Sequence, residues 1–195
     1  MSKNKGVFRK ICITAGAVLL ALAVGLLSWW QFSIHSSIKR AESLVTTIFE
    51  TIPEVQNSSL EERQNNTMPT LSLEGEDFVG VLEMPRFDSA LPVCNDWGNI
   101  TKHPCKLYGS IYDGTMQIGL TSQKGQYDFY REISVGDTVT FTDVEGNRYT
   151  YFVSNLRYEK HADKTALERE DSSLTLFIKN VYGFEYLIVS CNVAK

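Results

Sequence analysis

The feature that most constrains this chain is the run Ile11 to Phe32, ICITAGAVLLALAVGLLSWWQF, which contains no charged residue. A helix of that length rises about 33 Å, at ~1.5 Å per residue, enough to cross a hydrocarbon core of about 30 Å. It has no polar face, which argues against a helix packed in a soluble core. Trp29 and Trp30 stand at one end, where amphipathic rings favour a membrane interface. Lys3, Lys5, Arg9 and Lys10 precede the run, and the first acidic residue is Glu42. The net charge of −4 therefore joins a basic tail to an acidic remainder. The positive-inside rule then places residues 1–10 in the cytoplasm, 11–32 in the membrane and everything later outside. A cleavable signal peptide has a shorter apolar core, and Ser28-Trp29-Trp30-Gln31 offers no small-residue cleavage site. The expectation is a single-pass, uncleaved plasma-membrane anchor.

Residues 33–76 read as a helical stalk and polar linker. Ile34, Ile38, Leu44, Val45, Ile48 and Phe49 recur at helical spacing, and Pro53 stops the pattern. Such a helix suits a stalk, a membrane surface or a face of the following domain. PEVQNSSLEERQNNTMPT is polar and nearly free of aromatic residues, as linkers are. The glycosylation-type triplets at Asn57, Asn65 and Asn99 are short enough to arise by chance.

From about Glu76 the chain changes to short β-rich runs: FVGVLEMP, LPV, KLYGSIY, TMQIGL, DTVTFTD, RYTYFVSNLRY, LTLFIK and FEYLIVSC. Glu145-Gly146-Asn147 marks a hairpin turn between two of them. Tyr127–Ile133 and Lys164–Arg169 are briefly helical in pattern. The fold class expected for 77–195 is mainly β, a closed barrel or sandwich of about eight strands with short helices.

The order of these runs resembles the sortase family across 77–195. Phe78 to Pro85 followed by Leu91-Pro92-Val93 is similar to the family's opening strand, its Ile-Pro and its Leu-Pro-Val. Tyr127–Ile133 followed by Val135-Gly136-Asp137-Thr138-Val139 is similar to its short helix and the Gly-Asp turn into the next strand. Tyr149 to Val153 resembles the strand after that, Leu174-Thr175-Leu176 the first half of its Thr-Leu-x-Thr-Cys strand, and Glu185 to Val189 its last strand. The resemblance implies a sortase-like closed barrel behind a membrane anchor. It also implies the chemistry of Gram-positive cysteine transpeptidases. In these a thiolate attacks the amide of a sorting signal, a histidine protonates the leaving amine, and an arginine serves the oxyanion or positions the substrate. The implied partners are a secreted protein's sorting-signal peptide or a cell-wall component.

The residues at the triad-equivalent positions are of other types. The cysteine position falls at Lys179, the histidine position at Thr121 (or Ser122, one residue on) and the arginine position at Tyr186 or a neighbour, and no arginine follows Arg169. Cys191, in Leu187-Ile188-Val189-Ser190-Cys191, is the rescue candidate, with Cys94 behind it. Taking Cys191 as nucleophile leaves Leu174-Thr175-Leu176 without a role and no strand for the arginine. A lone cysteine among Leu, Ile and Val is otherwise a small core hydrophobe. Lys179 has two readings: an amine in the former nucleophile pocket, or a strand-end lysine in solvent.

Cys94 and Cys105 enclose NDWGNITKHP, rich in turn residues and expected outside the cell, so a disulfide is expected across it. Closing such a loop is worth about 2–3 kcal/mol on the chain-entropy account. Cys12 lies in the anchor, as filler or as a lipidation site. His35, His103 and His161 are scattered and form no zinc spacing with cysteine. Glu83, Asp88, Asp96, Asp113, Asp128 and Asp163 form no Asp-x-Asp-x-Asp calcium loop. No phosphate-binding glycine loop and no basic-aromatic patch points to a nucleotide cofactor or to nucleic acid. No metal or cofactor is expected. Three functions stay open: an inactive, ligand-binding relative of the sortases, an active transpeptidase with a relocated nucleophile, and a purely structural envelope module.

Overall fold

The computed structural model describes residues 3–58, 67–121, 132–160, 172–180 and 185–193. One helix, α1, runs Lys3–Thr51 and ends just before Pro53. It is long and apolar enough to cross a membrane. The chain divides into two compact units, residues 1–37 and 38–195. In the first, the described apolar side chains of the helix, Leu19, Leu20, Leu26 and Phe32 among them, are exposed.

In the second unit the helix changes character. Ala41, Leu44, Val45, Ile48 and Ile52 are buried, at the three- and four-residue spacing of one helix face. Leu44, Val45, Ile48 and Ile52 share an apolar cluster with Phe78, Val81, Cys94 and Cys105. Of the three settings open to this helix, residues 38–52 occupy a face of the barrel domain. Arg40 adds an exposed ion pair to Glu74 at 2.8 Å.

The strands are β1 (Gln56–Asn57), β2 (Leu71–Leu73), β3 (Glu76–Met84), β4 (Ser89–Cys94), β5 (Cys105–Tyr108), β6 (Met116–Thr121), β7 (Thr138–Asp143), β8 (Asn147–Glu159), β9 (Leu174–Lys179) and β10 (Tyr186–Val193). Their order is β1-β8-β10-β9-β6-β5-β4-β3-β2, and β7 pairs with both β3 and β8. That double pairing closes the circuit β3-β4-β5-β6-β9-β10-β8-β7 into an eight-stranded barrel, leaving β1 and β2 as short additions at its edges. Closure removes the long unpaired edges that an open sheet would present.

Alternation along each strand fills the barrel. Ile118 and Leu120, Leu174, Leu176 and Ile178, and Leu187, Val189 and Cys191 all join the main core with Val79, Leu82, Phe141 and Tyr151. The β7–β8 hairpin turns where expected. Gly146 takes φ +84°, and Asp143 Oδ1 accepts the backbone N–H groups of Glu145 and Asn147, each at 2.9 Å. The stretch of linker composition is put to use at both described ends. Gln56 and Asn57 pair in parallel with Asn147 and Arg148, and Met68 is buried in the core. The helical patterns at 164–169 and over most of 127–133 lie outside the described residues, as do Ser122, His161, Asp128 and Asp163.

Candidate functional site

The strand register brings Thr121, Lys179 and Tyr186 together. Thr121 is the partner of Lys179 across the parallel pair β6–β9, and Tyr186 is the partner of Lys179 across the antiparallel pair β9–β10. At about 4.8 Å per strand, the three backbones span roughly 10 Å. Period-two alternation puts them on one face. Ile118, Leu120, Leu176, Ile178, Leu187 and Val189 point into the core, so Gly119 and Thr121, Phe177 and Lys179, and Tyr186 and Ile188 point outward.

On that outer face buried apolar side chains lie beside a polar end. Phe177 and Ile188 are buried against each other, with Leu107 beside them. Trp97, in the 3-10 turn Trp97–Asn99 between β4 and β5, lies over Gly119. A Cβ at Gly119 would collide with the Trp97 ring, so glycine is what allows the indole to lie on β6. Trp97 stays 46% exposed and forms a wall. At the polar end Thr121 is buried, Tyr186 half-buried and Lys179 exposed. Beyond Lys179, Asn180 N–H donates to the Glu185 carbonyl at 3.0 Å. On the far side of β10, Arg157 of β8 pairs with Glu159 at 3.1 Å.

The group supplies a hydroxyl, an ammonium and a phenol beside an aromatic wall. Lysine can donate three hydrogen bonds and meet a carboxylate, and threonine and tyrosine can donate or accept. An exposed amine of this kind forms no thioester, since that needs a thiolate.

Cys191 lies elsewhere. It faces the barrel interior, with Leu174 and Val153 as register partners and no exposure to solvent. Burial pushes its thiol up to about 12. Cys94 and Cys105 are also fully buried, as direct partners where the end of β4 meets the start of β5 in parallel. In this structure their two sulfurs are not joined. Burial, with the neighbouring Cys94 second, pushes the Cys105 thiol upward.

His103 belongs to a separate cluster. It is buried edge-on against Phe78, with ring centroids 5.5 Å apart. Its Nε2 is 3.2 Å from Glu76 Oε2, an ion-pair distance without hydrogen-bond alignment. Burial holds the imidazole below its ordinary pKa, against the opposing pull of Glu76. Lys102 Nζ donates to Glu76 Oε1 at 2.7 Å and to Asn99 Oδ1 at 3.1 Å. Burial acts to raise Glu76, but the Lys102 hydrogen bond and the charges of His103 and Lys102 outweigh it and hold the carboxyl below its ordinary range. This contact was invisible in the sequence, because Glu76 and His103 are far apart there. His35 lies on α1 in the first unit. Among the acidic residues considered for calcium, Glu83 accepts a bond from Arg148 at 2.8 Å. Among the described residues no three His, Cys, Asp or Glu side chains gather as a metal site requires.

The barrel is similar to solved sortases. It matches sortase A from Corynebacterium diphtheriae with a TM-score of 0.53 and 16% identity, covering 83% of this chain and 84% of that one. It matches sortase C1 from Streptococcus agalactiae with a TM-score of 0.52 and 18% identity, covering 64% and 71%. A lid mutant of the Corynebacterium enzyme gives 0.51 and 18%, covering 62% and 72%. No protein-family model matches the sequence, and no curated protein matches it significantly. At these identities the likeness establishes the fold: the chain carries a sortase-like β-barrel.

Proposed function

We propose that this chain is an extracytoplasmic, membrane-anchored module that binds a peptide or a partner of the cell envelope on the outer face of its sortase-like barrel around Lys179 and does not cleave it. The observation that carries this reading is the alignment Thr121–Lys179–Tyr186 across β6, β9 and β10, at the ends of strands where the sortase resemblance expects the histidine, cysteine and arginine. Beside this alignment Trp97 is partly exposed over Gly119, and Lys179 presents a cation to solvent. These are features of a binding surface: aromatic area, a polar end and one charge that selects a carboxylate. Cys94, Cys105 and Cys191 are buried away from any substrate, and burial pushes the Cys191 thiol up to about 12, which leaves it little of the thiolate character a nucleophile needs. The apolar helix supplies the anchor, and the basic residues before it orient the barrel outward.

The test uses the full chain in detergent micelles with a fluorescent sorting-signal peptide and an amine acceptor. Expected are saturable binding by anisotropy, no cleaved or transferred product by mass spectrometry, and at least about tenfold weaker binding for Lys179→Glu. Turnover that Cys191→Ala or Cys94→Ala abolishes would establish a relocated nucleophile instead. Absence of binding would leave a structural module.

A further inference from the structure

We propose that Cys94 and Cys105 close as a disulfide that pins Trp97 on the outer face of the barrel. The two residues meet at the one register pair that joins β4 to β5, with Cys94 N–H donating to the Pro104 carbonyl at 2.8 Å. Parallel neighbours stand about 4.8 Å apart at Cα, inside the span of roughly 4.4–6.8 Å that a disulfide bridges. The Cα spacing of this pair therefore permits the bond. Both sulfurs are sealed in the apolar cluster of Ile48, Phe78 and Val81. Their existing polar contacts are weak. Asn99 Nδ2 is 3.6 Å from Cys94 Sγ, and Cys105 Sγ donates to the His103 carbonyl at 3.4 Å. Replacing two such thiols by one S–S bond therefore forfeits little.

The consequence falls on that outer face. Residues 95–104 form the loop that this bond would close, and they carry Trp97, whose ring covers Gly119 two residues before Thr121. Near its C-terminal end the loop is held by Lys102 on Glu76 at 2.7 Å and by His103 buried against Phe78, whereas around Trp97 the described contacts are local hydrogen bonds such as Gly98 N–H to Asp96 Oδ1 at 2.9 Å. A covalent tie at both ends limits how far the indole can move from β6.

The chemistry is thiol–disulfide exchange with an oxidised disulfide, small-molecule or protein, outside the cell. One thiolate attacks a sulfur of R–S–S–R and expels RS⁻. The second thiolate then attacks the resulting mixed disulfide and expels the other RS⁻. The two thiol protons pass to the two leaving thiolates, so one protein disulfide and two RSH are formed and the reagent disulfide is reduced. Because the paired thiols are buried, the exchange belongs to the folding chain.

The inference rests on the proposed extracytoplasmic placement only for its state in the cell. Two measurements separate the two. First, full-length protein is unfolded and reduced, then refolded in detergent with oxidised and reduced glutathione, and digested without reductant. A Cys94–Cys105 linked peptide is expected. The folded oxidised protein should then lose about 5–15 °C of Tm when reduced, with Cys94→Ser/Cys105→Ser insensitive to reductant. Recovery of both cysteines as alkylated thiols overturns the proposal. Second, protein taken from membranes after acid trapping of thiols reports the natural state. Linked peptide there supports the pairing. Reduced cysteines there, with linkage in the refolded protein, overturn the outward placement and leave the pairing intact.

Discussion

Lys179 is the register partner of Thr121 on one side and of Tyr186 on the other. The end of β6 thus lies beside the end of β9 and the start of β10 on the outer face of the barrel. Lys179 is exposed there, whereas Cys191, twelve positions further on, is sealed inside. Native-state thiol labelling distinguishes the two environments. Lys179→Cys places a thiol of ordinary pKa in solvent, while the Cys191 thiol is pushed up to about 12. From the thiolate fraction alone, the introduced cysteine reacts at least ~10³-fold faster at neutral pH. The measurement is the rate of alkylation followed by peptide mass spectrometry. Equal rates at positions 179 and 191 would mean that the barrel opens far more readily than its packing allows. Because Lys179 is an exposed strand-end residue, the substitution should change stability by less than about 0.5 kcal/mol.

The sequence made the frame of this site legible and left its surroundings hidden. Alternation in Thr138–Asp143 and Leu174–Lys179 is set by local sterics and burial, so the strands could be read directly. The order of the strands could be read as well, and the register sets Thr121, Lys179 and Tyr186 side by side. Non-local contacts were not legible. Trp97 over Gly119 depends on a missing side chain, and Glu76 against His103 on the packing of a loop onto β3. The spacing of Cys94 and Cys105 suggested proximity, but their parallel register needed the fold. The pairing of Gln56–Asn57 with β8 was masked by polar composition, because main-chain hydrogen bonds there do the work that apolar side chains do elsewhere.

The Glu76–His103 contact predicts an acid-side loss of stability in two stages. Burial holds His103 below its ordinary value of 6.5, so the unfolded chain takes up that proton first. This contribution is complete above pH 6.5 and declines as the pH falls through it. Glu76 is held below its ordinary 4.5, so a second decline begins there. His103→Gln should remove the first stage and keep the second. Tm measured from pH 8 to pH 4 for both proteins checks this, and a parallel pair of curves between pH 7 and pH 5 would contradict the assignment.

Asp143 is the fixed point of the β7–β8 hairpin. It has no solvent exposure, and its carboxylate also accepts from Tyr112 Oη at 3.1 Å and from Asn147 Nδ2 at 3.1 Å. Asp143→Ala strips four donors of their acceptor at once and should cost about 2–5 kcal/mol in chemical denaturation, since each unpaired buried group costs roughly 1–3 kcal/mol before relaxation. Asp143→Asn keeps one oxygen and should cost less. Equal, small losses for both would mean that the turn is held by Gly146 and the strand pairing alone.

The contact between Trp97 and Gly119 can be measured as a coupling. Gly119→Ala puts a methyl group where the indole lies, and the backbone of β6 is fixed by its pairing with β5 and β9. The partly exposed ring is the softer partner, so it is displaced. Overpacking of this kind costs about 1–3 kcal/mol. The fluorescence of Trp97, read in a Trp29→Phe/Trp30→Phe background, should shift to the red as the ring gains water. Trp97→Ala alone removes the wall without steric conflict. In the double variant the nearest contact left to the added methyl group is the Ile100 side chain at 3.4 Å, so its cost should largely vanish. The double-mutant cycle should then give a coupling of at least about 1 kcal/mol between the two positions. Additive losses would show that Gly119 serves the strand for another reason, and the outer face would lose its wall as a binding element.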